Sequence, residues 1–462
     1  MSTHGVRSFR PKIHFTPEKG WANDPNGLCF HEGKYHLFYQ NNPGGTSGGP
    51  EYPMYWGHAV SADLISWQHL PVALCPDKDG SIFSGSAVWD TENFSGFGTR
   101  GKIPLIAMYT RHGRQETQCI ACSLDGVNFN KYQKNPVIPN PGLRDFRDPK
   151  LFWNPVRKGW SAVIAAGDRV CFYFSRDLQK WEKTGEFGPS GNDAAGIWEC
   201  PDLVPLGCHG RRVWMLSVSM AAKREEGGNM TQYFLGKFDG DAFSCTIPFG
   251  HPERMDEGYD DYAGVTFTQT PVPIRIGWGL CWDYAGDTPT GEYCGVMTLP
   301  RVLTLRDTPE GPRLSSAPAV EDTFGDAEPL GDGGLLSEET FRLTVRGEGP
   351  CSLAFLNREG QKLLLGVDEK NRLFADRLKA GAQDFNQNYA LPLYGSRAKE
   401  RFFQGPYTMD IIFDVSMLEI FIDGGTRNIC MAVYPDSPYR IFHVTGKAEA
   451  EIRSLRKVAA ET

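Results

Sequence analysis

The sequence predicts an all-β protein in which a five-bladed β-propeller is followed by a β-sandwich. Helical periodicity is scarce, whereas short runs of β-branched and aromatic residues bounded by Gly, Pro, Asn and Asp recur along the chain, among them KYHLFYQ, IPLIAMYT, RVWMLSVS and MLEIFID. A weak internal repeat and an even spacing of polar motifs, both visible within the first 300 residues, indicate the propeller.

The repeat is a short Ser-x-Asp or Asp-Gly segment that ends in an aromatic residue. It reads SADLISW at 61–67, SLDGVNF at 123–129 and SRDLQKW at 175–181, with a fainter copy, FDGDAF, at 238–243. Intervals of 62, 52 and about 60 residues exceed the roughly 40 to 50 residues of familiar blade repeats, so we expect five four-stranded blades with long loops. Trp67 and Trp181 recur by blade, which predicts a structural role for both.

Polar motifs follow the same spacing. Ser84 in FSGSAV lies 60 residues after Asp24, and Asp148, Glu199 and Asp260 follow at intervals of 64, 51 and 61. If each residue opens the innermost strand of its blade, all five converge on one axial funnel.

The composition changes after residue 305. The stretch RDTPEGPRLSSAPAVEDTFGDAEPLGDGG at 306–334 is rich in Pro, Gly and acids and indicates a linker. Alternating strands beyond it predict a β-sandwich over 335–462, so the propeller is expected to occupy 1–305.

Composition and charge narrow the class of partner. The chain has 462 residues, of which 40% are hydrophobic and 23% charged, and nowhere do about 18 apolar residues run together. The start, MSTHGVRSFRPKIHF, lacks the apolar segment of a signal peptide, so a cytoplasmic protein is expected unless a leader has been removed. A formal charge of −8 without blocks of one sign argues against nucleic acid or anionic membrane and favours a neutral small molecule or oligosaccharide. The oligomeric state is left open.

The twelve cysteines are scattered singly, which favours reduced core thiols over a disulfide framework. CIAC at 119–122 is the one close pair, and without a second pair or a histidine cluster it indicates a strand rather than a metal site. No metal and no cofactor are expected.

Three acids stand in rigid contexts, Asp24 in NDPN, Asp148 in RDPK and Glu199 in ECPD. NDPNG alone is also typical of an exposed turn, and Arg147 beside Asp148 is typical of a surface salt bridge. Carried together on separate blades, however, the acids suit glycoside hydrolysis, which needs two carboxyl groups that flank the scissile bond. Grouping and burial raise the pKa of some of them, which keeps a proton donor protonated near neutral pH.

Aromatic and amide side chains of the kind that bind sugars surround these acids. Aromatic faces stack on sugar rings and amides bond to hydroxyls, although each aromatic residue taken alone also suits the core. Two interpretations therefore stay open, a glycosidase on a propeller and a lectin-like sugar-binding propeller. The residues are Trp21, Asn23, Gln40, Trp56, Phe83, Trp198 and Trp282.

An ordered set of motifs adds a resemblance. WANDPNG, FYQNNP, YWGHAVSADLISW, FSGSAV, FRDPK, WECPD, YDDYA, GWGLCWDYA and MTLPRVL resemble the β-fructofuranosidases of glycoside hydrolase family 32, the invertases, inulinases, levanases and sucrose-6-phosphate hydrolases. The likeness runs from about His14 to Leu305, and DVSMLEIFIDGG resembles the C-terminal sandwich of that family.

The resemblance implies a role for each acid. Asp24 matches the nucleophile, Glu199 the general acid/base and Asp148 the acid that stabilises the transition state. The resemblance also implies that Asn23, Gln40, Trp56, Ser84, Arg147 and Trp282 line the fructose subsite, and the spacing and aromatic arguments add Asp260 and Phe83. Ala22 and the second acid Asp261 depart from the family pattern and leave the outer rim of the pocket undefined.

The function implied is removal of terminal non-reducing β-fructosyl units from sucrose, fructooligosaccharides or fructans by double displacement. That mechanism places the Asp24 and Glu199 carboxyl groups about 5 to 5.5 Å apart. The alternatives are a fructosyltransferase that uses the same covalent intermediate and a non-catalytic fructan-binding protein. The preferred fructoside and the choice of exo or endo action are left open.

Overall fold

The computed structural model describes residues 7–189, 196–208, 210–221, 229–248 and 253–456. Its N-terminal part is a ring of five antiparallel sheets, and its C-terminal part is a β-sandwich. The predicted fold class is confirmed. Among the residues described, none of the helices has the length and apolarity that spanning a bilayer requires.

Blades one to three each pair their strands in chain order. Blade one consists of β1 (Gly20–His31), β2 (Lys34–Asn42), β3 (Tyr55–Ser61) and β4 (Gln68–Leu74). Blade two consists of β5 (Ser81–Trp89), β6 (Leu105–His112), β7 (Thr117–Ser123) and β8 (Asn130–Lys131). Blade three consists of β9 (Arg147–Asn154), β10 (Gly159–Ala165), β11 (Val170–Ser175) and β12 (Glu182–Phe187).

Blades four and five carry short additions. Blade four consists of β13 (Trp198–Cys208), β14 (Arg211–Ala221), β15 (Asn229–Phe238) and β16 (Phe243–Ile247), with β17 (Glu253–Arg254) paired to β15. Blade five consists of β18 (Tyr262–Thr266), β19 (Ile274–Trp278), β21 (Arg301–Thr308) and β22 (Gly311–Pro318). The two-residue strand β20 (Tyr293–Cys294) leaves blade five and pairs in parallel with β1 of blade one. This pairing closes the ring.

The sequence repeat forms the turn between the third and fourth strands of blades one to four. In SADLISW the Ser61 hydroxyl donates to the Asp63 carboxylate, which in turn accepts the N–H groups of Ile65 and Ser66. The turns that begin at Ser123 and Ser175 repeat this pattern. Such side-chain caps satisfy turn N–H groups that no strand can pair, which explains why the motif recurs by blade.

The indoles of Trp67 and Trp181 close these turns. Each donates to the carbonyl three residues earlier, of Leu64 and Leu178, at 3.1 Å. Their predicted structural role is confirmed. The pair Cys119 and Cys122 lies on β7, as expected for a strand segment.

The expected domain boundary at 305 falls inside a strand. β21 continues to Thr308, and β22 supplies the outermost strand of blade five, so 306–318 belongs to the propeller. The Pro- and Gly-rich sequence of this segment indicates a linker because the tight hairpin at 308–311 uses the same residue types as a linker does. The sandwich also begins before 335, because residues 328–329 and 334–335 pair with its last strand.

The sandwich is built on two long strands that pass through both layers. β25 pairs with β29 over its first half and with β26 over its second half, and it pairs with β32 along most of its length. Its strands are β23 (Glu328–Pro329), β24 (Gly334–Leu335), β25 (Thr340–Leu356), β26 (Lys362–Val367), β27 (Arg372–Lys379), β28 (Ser396–Glu400), β29 (Tyr407–Asp414), β30 (Met417–Ile422), β31 (Arg427–Ala432) and β32 (Ile441–Ser454). Within the described part of the chain, the helical elements are α1 (Pro392–Gly395) and the 3₁₀ turns Ala285–Asp287 and Glu321–Thr323.

The two domains share one buried interface. Met417, Cys430 and Tyr434 of the sandwich pack into the same apolar cluster as Trp278 of blade five. Buried ion pairs cross this interface, for example Arg301 with Glu419 at 2.8 Å. Burial of apolar surface fixes the sandwich against blade five, since apolar area removed from water is the main favourable term in such contacts.

Candidate active site

One pocket lies at the end of the ring where the innermost strands begin. Asp24 on β1, Ser84 on β5, Asp148 on β9 and Glu199 on β13 all line it, so four of the five positions that the spacing predicts to converge lie in one pocket. The cavity measures about 380 Å³, within the ~300–1,000 Å³ typical of ligand sites. It is lined by Asn23, Asp24, Gln40, Gly49, Pro50, Met54, Phe83, Ser84, His112, Glu116, Arg144, Asp145, Arg147, Asp148, Glu199 and Trp282.

Asp24 lies on a bulged strand rather than in a turn. The pairing of β1 with β2 shifts register on both sides of Pro25-Asn26, and Gly27 takes a φ of +55°. A Cβ at Gly27 would lie 2.5 Å from the ring of Phe38, so only glycine fits this bend. The bulge turns the side chain of Asp24 toward the axis.

Neutral donors orient the Asp24 carboxylate. The Ser84 hydroxyl donates to Oδ2 at 2.6 Å, and the Asn23 amide donates to Oδ1 at 2.9 Å. The Asn23 amide oxygen in turn accepts the indole N–H of Trp21 at 2.6 Å. Asn26 donates to the backbone carbonyl of Asp24. The carboxylate is therefore held in one orientation without an ion pair.

Asp148 is held by its backbone. It takes a φ of +63°, a strained conformation for a non-glycine residue, and its N–H donates to the Thr110 hydroxyl at 2.9 Å. Its Oδ2 accepts the N–H of Cys200 at 3.0 Å. The Cys200 thiol lies between two acids, 3.5 Å from Asp24 Oδ2 and 3.6 Å from Asp148 Oδ2. Strain of this kind is typical of positions whose orientation serves a function.

Glu199 accepts hydrogen bonds at both carboxylate oxygens. Its Oε1 accepts the guanidinium of Arg147 at 3.0 and 3.2 Å, and its Oε2 accepts the hydroxyl of Tyr262. The side chain is 24% exposed, so it is within reach of a molecule in the pocket.

Arg147 connects Glu199 to two further acids. It donates to both oxygens of Glu116 at 3.0 and 3.1 Å and to Asp145 at 2.9 Å. Glu116 also accepts the N–H of Phe146 and lies 3.2 Å from the ring of His112. The planar fork of arginine is needed here, because a single ammonium could not reach these oxygens together.

Burial and mutual repulsion raise the pKa of the central acids. Burial raises the pKa of Asp148 to about 8, against the opposing effect of Arg147, and the charges of Glu199 and Asp24 add to the rise. Burial also raises the pKa of Glu199, although Arg147 and Tyr262 oppose it. A carboxyl group with a raised pKa holds its proton near neutral pH, as a general acid requires.

Aromatic rings form two walls of the pocket. Trp282, which is 36% exposed, stacks on Trp21 with ring centroids 5.6 Å apart and contacts Trp278 at 4.9 Å. On the other side Phe83 and His112 stack at 4.1 Å with planes 5° apart. Both walls present flat apolar faces beside polar groups, the combination that binds sugar rings.

The structure brings nine of the eleven predicted site residues together and places two elsewhere. Trp56 was expected in the sugar subsite, but it is fully buried in the blade core against Phe38, and its indole donates to the carbonyl of Phe83. Asp260 was expected in the funnel, but it is fully buried and binds Arg377 of the sandwich at 2.6 Å. Asp260 precedes β18 rather than standing on it, so its side chain points to the domain interface.

Sequence reasoning missed Glu116, Tyr262, His112 and Cys200. Glu116 and His112 lie in the hairpin RHGRQET between β6 and β7, where nothing distinguishes them from ordinary loop residues. Tyr262 stands two residues after Asp260 in YDDYA, where nothing in the sequence distinguishes it from a tyrosine of the core. Cys200 directly follows Glu199, so its place beside a predicted site residue is the one signal in the sequence that could have predicted it.

Family models match nearly the whole chain. The model described as "Glycosyl hydrolases family 32 N-terminal domain" matches residues 14–318, and "Glycosyl hydrolases family 32 C terminal" matches 313–458. The two matches meet on β22, the last strand of the propeller. This agrees with the boundary that the sheet pairing gives.

Individual proteins are similar along the same length. The chain is 39% identical to a levanase of Bacillus subtilis (strain 168), over 94% of this chain and 68% of that protein. It is 33% identical to an extracellular exo-inulinase of Aspergillus awamori, over 98% of this chain and 95% of that protein. Among solved structures, the exo-inulinase of Aspergillus awamori superposes with a TM-score of 0.87 at 30% identity and covers 98% of this chain and 99% of its own. A Schwanniomyces occidentalis fructofuranosidase complexed with fructosylnystose superposes with a TM-score of 0.88 at 27% identity, covering 97% and 98%.

Proposed function

This chain belongs to glycosyl hydrolases family 32, and from that membership we propose that it is an exo-acting β-fructofuranosidase that releases terminal fructose from fructooligosaccharides and fructans with retention of configuration. The observation that carries the proposal is the meeting of Asp24, Asp148 and Glu199 in one pocket. The levanase and exo-inulinase relatives support a fructan as substrate.

The first step is attack by Asp24 on the anomeric carbon of the terminal fructosyl unit. Ser84 and Asn23 hold the carboxylate by neutral hydrogen bonds, so its negative charge is oriented but not neutralised by a cation. A nucleophile fixed in this way is already oriented for attack. This preorganisation lowers the activation free energy of the reaction substantially. The bond to the leaving sugar breaks as the ester to Asp24 forms.

Glu199 supplies the proton that the leaving oxygen takes up. Burial raises its pKa, which favours the protonated form that a general acid needs. After the leaving sugar departs, the same carboxylate removes a proton from water, which attacks the fructosyl ester and releases fructose. Arg147 and Tyr262 hold Glu199 in place through both steps.

Asp148 stabilises the transition state. Its backbone is anchored by Thr110 and its carboxylate by the N–H of Cys200, so it faces the sugar without reorganisation. Hydrogen bonds to the ring hydroxyls strengthen as positive charge develops on the ring, which lowers the barrier rather than tightening ground-state binding.

The test separates the nucleophile from the acid. Asp24→Asn is expected to lower kcat by about 10⁴-fold or more on every fructoside, as loss of a catalytic group commonly does. Glu199→Gln is expected to lower kcat on sucrose and levan but to retain fast release of fluoride from β-fructosyl fluoride in the first turnover, because that leaving group needs no proton and only the later hydrolysis of the ester needs Glu199 as a base. Free fructose is measured by chromatography and the anomer first released by NMR, with Glu182→Gln, an exposed surface acid, as the matched control.

Three results would contradict the proposal. A Glu199→Gln variant as inactive on the fluoride as on sucrose would remove the assignment of acid and nucleophile. Wild-type protein that lengthens fructooligosaccharides without releasing free fructose would be a transferase, and one that binds fructan without any product would be a binding protein.

A further inference from the structure

A second cavity opens at the opposite end of the propeller axis from the catalytic pocket. It measures about 670 Å³ and is lined by the later residues of the innermost strands, such as Val88 on β5, Phe152 on β9 and Leu203 on β13. The catalytic pocket is lined by residues near the starts of the same strands. We call this second cavity the distal cleft.

The two cavities are separated by a buried ion pair. Lys150 lies 3.2 Å from Asp202, and its ammonium also donates to the carbonyl of Thr266. Both charged side chains are almost fully buried. A molecule in the distal cleft therefore cannot reach the catalytic acids through the axis, so the cleft is a separate site.

Aromatic rings dominate the mouth and walls of the distal cleft. Trp153 and Phe94 are 42% and 40% exposed, and their ring centroids lie 5.5 Å apart. Trp153 is braced from behind by Trp160, its cross-strand neighbour on β10, edge to face at 5.5 Å. Trp214 and Phe152 complete the inner wall, where their rings lie 6.0 Å apart. Large rings exposed side by side over a cavity mark an interaction site, because the hydrophobic effect works against leaving them in water.

Polar residues rim these rings. Thr91 and Glu92 stand beside Phe94, Arg212 stands on the facing blade, and Thr270 closes the third side. Thr91, Glu92 and Arg212 are exposed, so their polar groups are available at the entrance. One acid and one base give the rim no net charge, which fits a neutral ligand that offers hydroxyl groups along with an apolar face.

We propose that the distal cleft is a second binding site for the fructan chain, in which sugar rings stack on Trp153 and Phe94 and their hydroxyls bond to the rim. The identity of this ligand rests on the proposed function, because a polymer that the enzyme shortens is the neutral polyhydroxylated molecule it meets. A cleft of this volume takes an oligosaccharide of a few units, within the ~300–1,000 Å³ range of ligand sites. Its role is to keep the enzyme on the polymer while chain ends are removed at the other face, which raises the effective concentration of ends.

The experiment counts sites on a protein that does not consume its ligand. Asp24→Asn protein is titrated calorimetrically with purified levan and inulin oligosaccharides. Two binding events are expected for the Asp24→Asn protein. Adding Trp153→Ala or Phe94→Ala is expected to weaken the distal event roughly fivefold and leave the other unchanged, since one aromatic stack is worth about 1 kcal/mol. Leu335→Ala, an exposed apolar residue on the sandwich, is the control and leaves both events unchanged.

Kinetics on the otherwise wild-type protein give an independent measurement. Trp153→Ala is expected to raise KM for long levan severalfold while kcat/KM for sucrose stays the same, because sucrose does not span both faces. Phe94 lies on a loop between β5 and β6, so its variant keeps the test available if Trp153→Ala fails to fold.

The results that overturn the proposal are distinct from those that overturn the function. A single binding event in Asp24→Asn protein, or a second event that both variants leave intact, removes the distal site even if sucrose and levan are hydrolysed. Binding of an apolar dye at the cleft that no fructan displaces does the same. Failure to hydrolyse any fructoside would contradict the proposed function. The distal site is tested by the number of binding events alone.

Discussion

The protein buries two clusters of acids, one in the catalytic pocket at the propeller axis and one at the interface between blade five and the sandwich. The two clusters differ in the groups that bind their carboxylates. In the catalytic pocket, Asp24 and Asp148 take their hydrogen bonds from neutral donors, and one guanidinium, Arg147, contacts three other carboxylates. At the domain interface each acid has a cation beside it. The pairs are Asp256 with Arg301, Asp260 with Arg377, Asp261 with Arg275 and Arg301, Asp414 with His14, and Glu419 with Arg301 and His14.

The pKa shifts follow from this difference. Burial by itself raises the pKa of a carboxyl group, because it disfavours the charged form. At the interface His14 outweighs burial and lowers the pKa of Asp414, and Arg301 with His14 lowers that of Glu419. In the pocket burial prevails, and the pKa values of Asp148 and Glu199 rise. Asp256 is an exception at the interface, since burial raises its pKa to about 6 despite Arg301.

The comparison shows how the groups around a buried acid indicate whether its role is structural or catalytic. Acids at the interface that each have a cation beside them hold the two domains together, whereas in the pocket Asp24 and Asp148 have neutral donors and Glu199 shares one guanidinium with two other acids. Asp260 illustrates the risk of judging by motif alone, because its sequence spacing matched the catalytic set but its Arg377 partner places it in the structural one.

The largest expected effect on this comparison comes from removing Arg301. Arg301→Met leaves Asp256, Asp261 and Glu419 without their shared cation, so the free energy of unfolding is expected to fall by about 3–5 kcal/mol. The kcat of the protein that remains folded is expected to stay near wild type. Denaturant unfolding measures the free energy of unfolding, and assays at low temperature measure kcat. Arg157→Met, at an exposed pair, should cost about 1 kcal/mol or less, and an equal loss in both variants would refute the argument.

Asp148→Asn is expected to act in the opposite sense on activity and stability. Loss of preorganised electrostatics should lower kcat by about 10²–10³-fold with little change in KM. The pKa of Asp148 is about 8 in the folded protein, against an ordinary value of 3.8. The stability that protonated Asp148 contributes is therefore complete below about pH 4 and is lost as the pH rises toward 8. The melting temperature of Asp148→Asn relative to wild type should therefore rise across that window. A tenfold rise in KM with unchanged kcat, or a stability difference independent of pH, would contradict it.

Arg147→Lys tests whether the fork matters beyond its charge. Lysine keeps the positive charge but cannot bond to Glu199 and Glu116 at once, so misplacement of the acid should lower kcat/KM by up to about 10²-fold. Because Arg147 lowers the pKa of Glu199, the alkaline limb of the pH–rate profile should move to higher pH. An unchanged alkaline limb would show that Arg147 does not act through Glu199.

The smallest effect is expected at His14 and depends on pH. Burial lowers the pKa of His14, but hydrogen bonds to Asp414 and Glu419 outweigh it and raise the value to about 9 from 6.5. Its stabilising contribution is complete below about pH 6.5 and is lost as pH rises through 9. His14→Gln should be less stable than wild type at pH 6, and the gap in melting temperature should shrink by pH 9. A constant gap would mean that His14 acts by packing alone.

The propeller was predictable because its blades repeat local patterns. The Ser-x-Asp turns and the even spacing of Asp24, Ser84, Asp148 and Glu199 are written in short segments that each fold in the same local way. Resemblance to the family supplied the roles, and the structure placed nine of the residues in one pocket.

What escaped prediction depends on contacts between distant segments. Glu116 reaches the pocket only because Arg147, 31 residues later, lies beside it, and Asp260 leaves the pocket because Arg377, 117 residues later, binds it. Trp56 is buried because Phe38 and Tyr109 of two blades pack against it. None of these partners follows from spacing, and the hairpin at 308–311 resembled a linker because both need turn residues.

The parallel pairing of β20 with β1 constrains the order in which the chain folds during synthesis. Gly20 and Trp21, three residues before the nucleophile, meet Tyr293 and Cys294, and the N–H groups of Lys12 and Ile13 bond to Asp414. The first blade therefore lacks its partner on the blade-five side until Cys294 has left the ribosome, and its entry segment lacks its anchor until Asp414 has followed. The ring around the catalytic pocket therefore closes only after blade five has been synthesised, whereas each earlier blade can pack on the one before it.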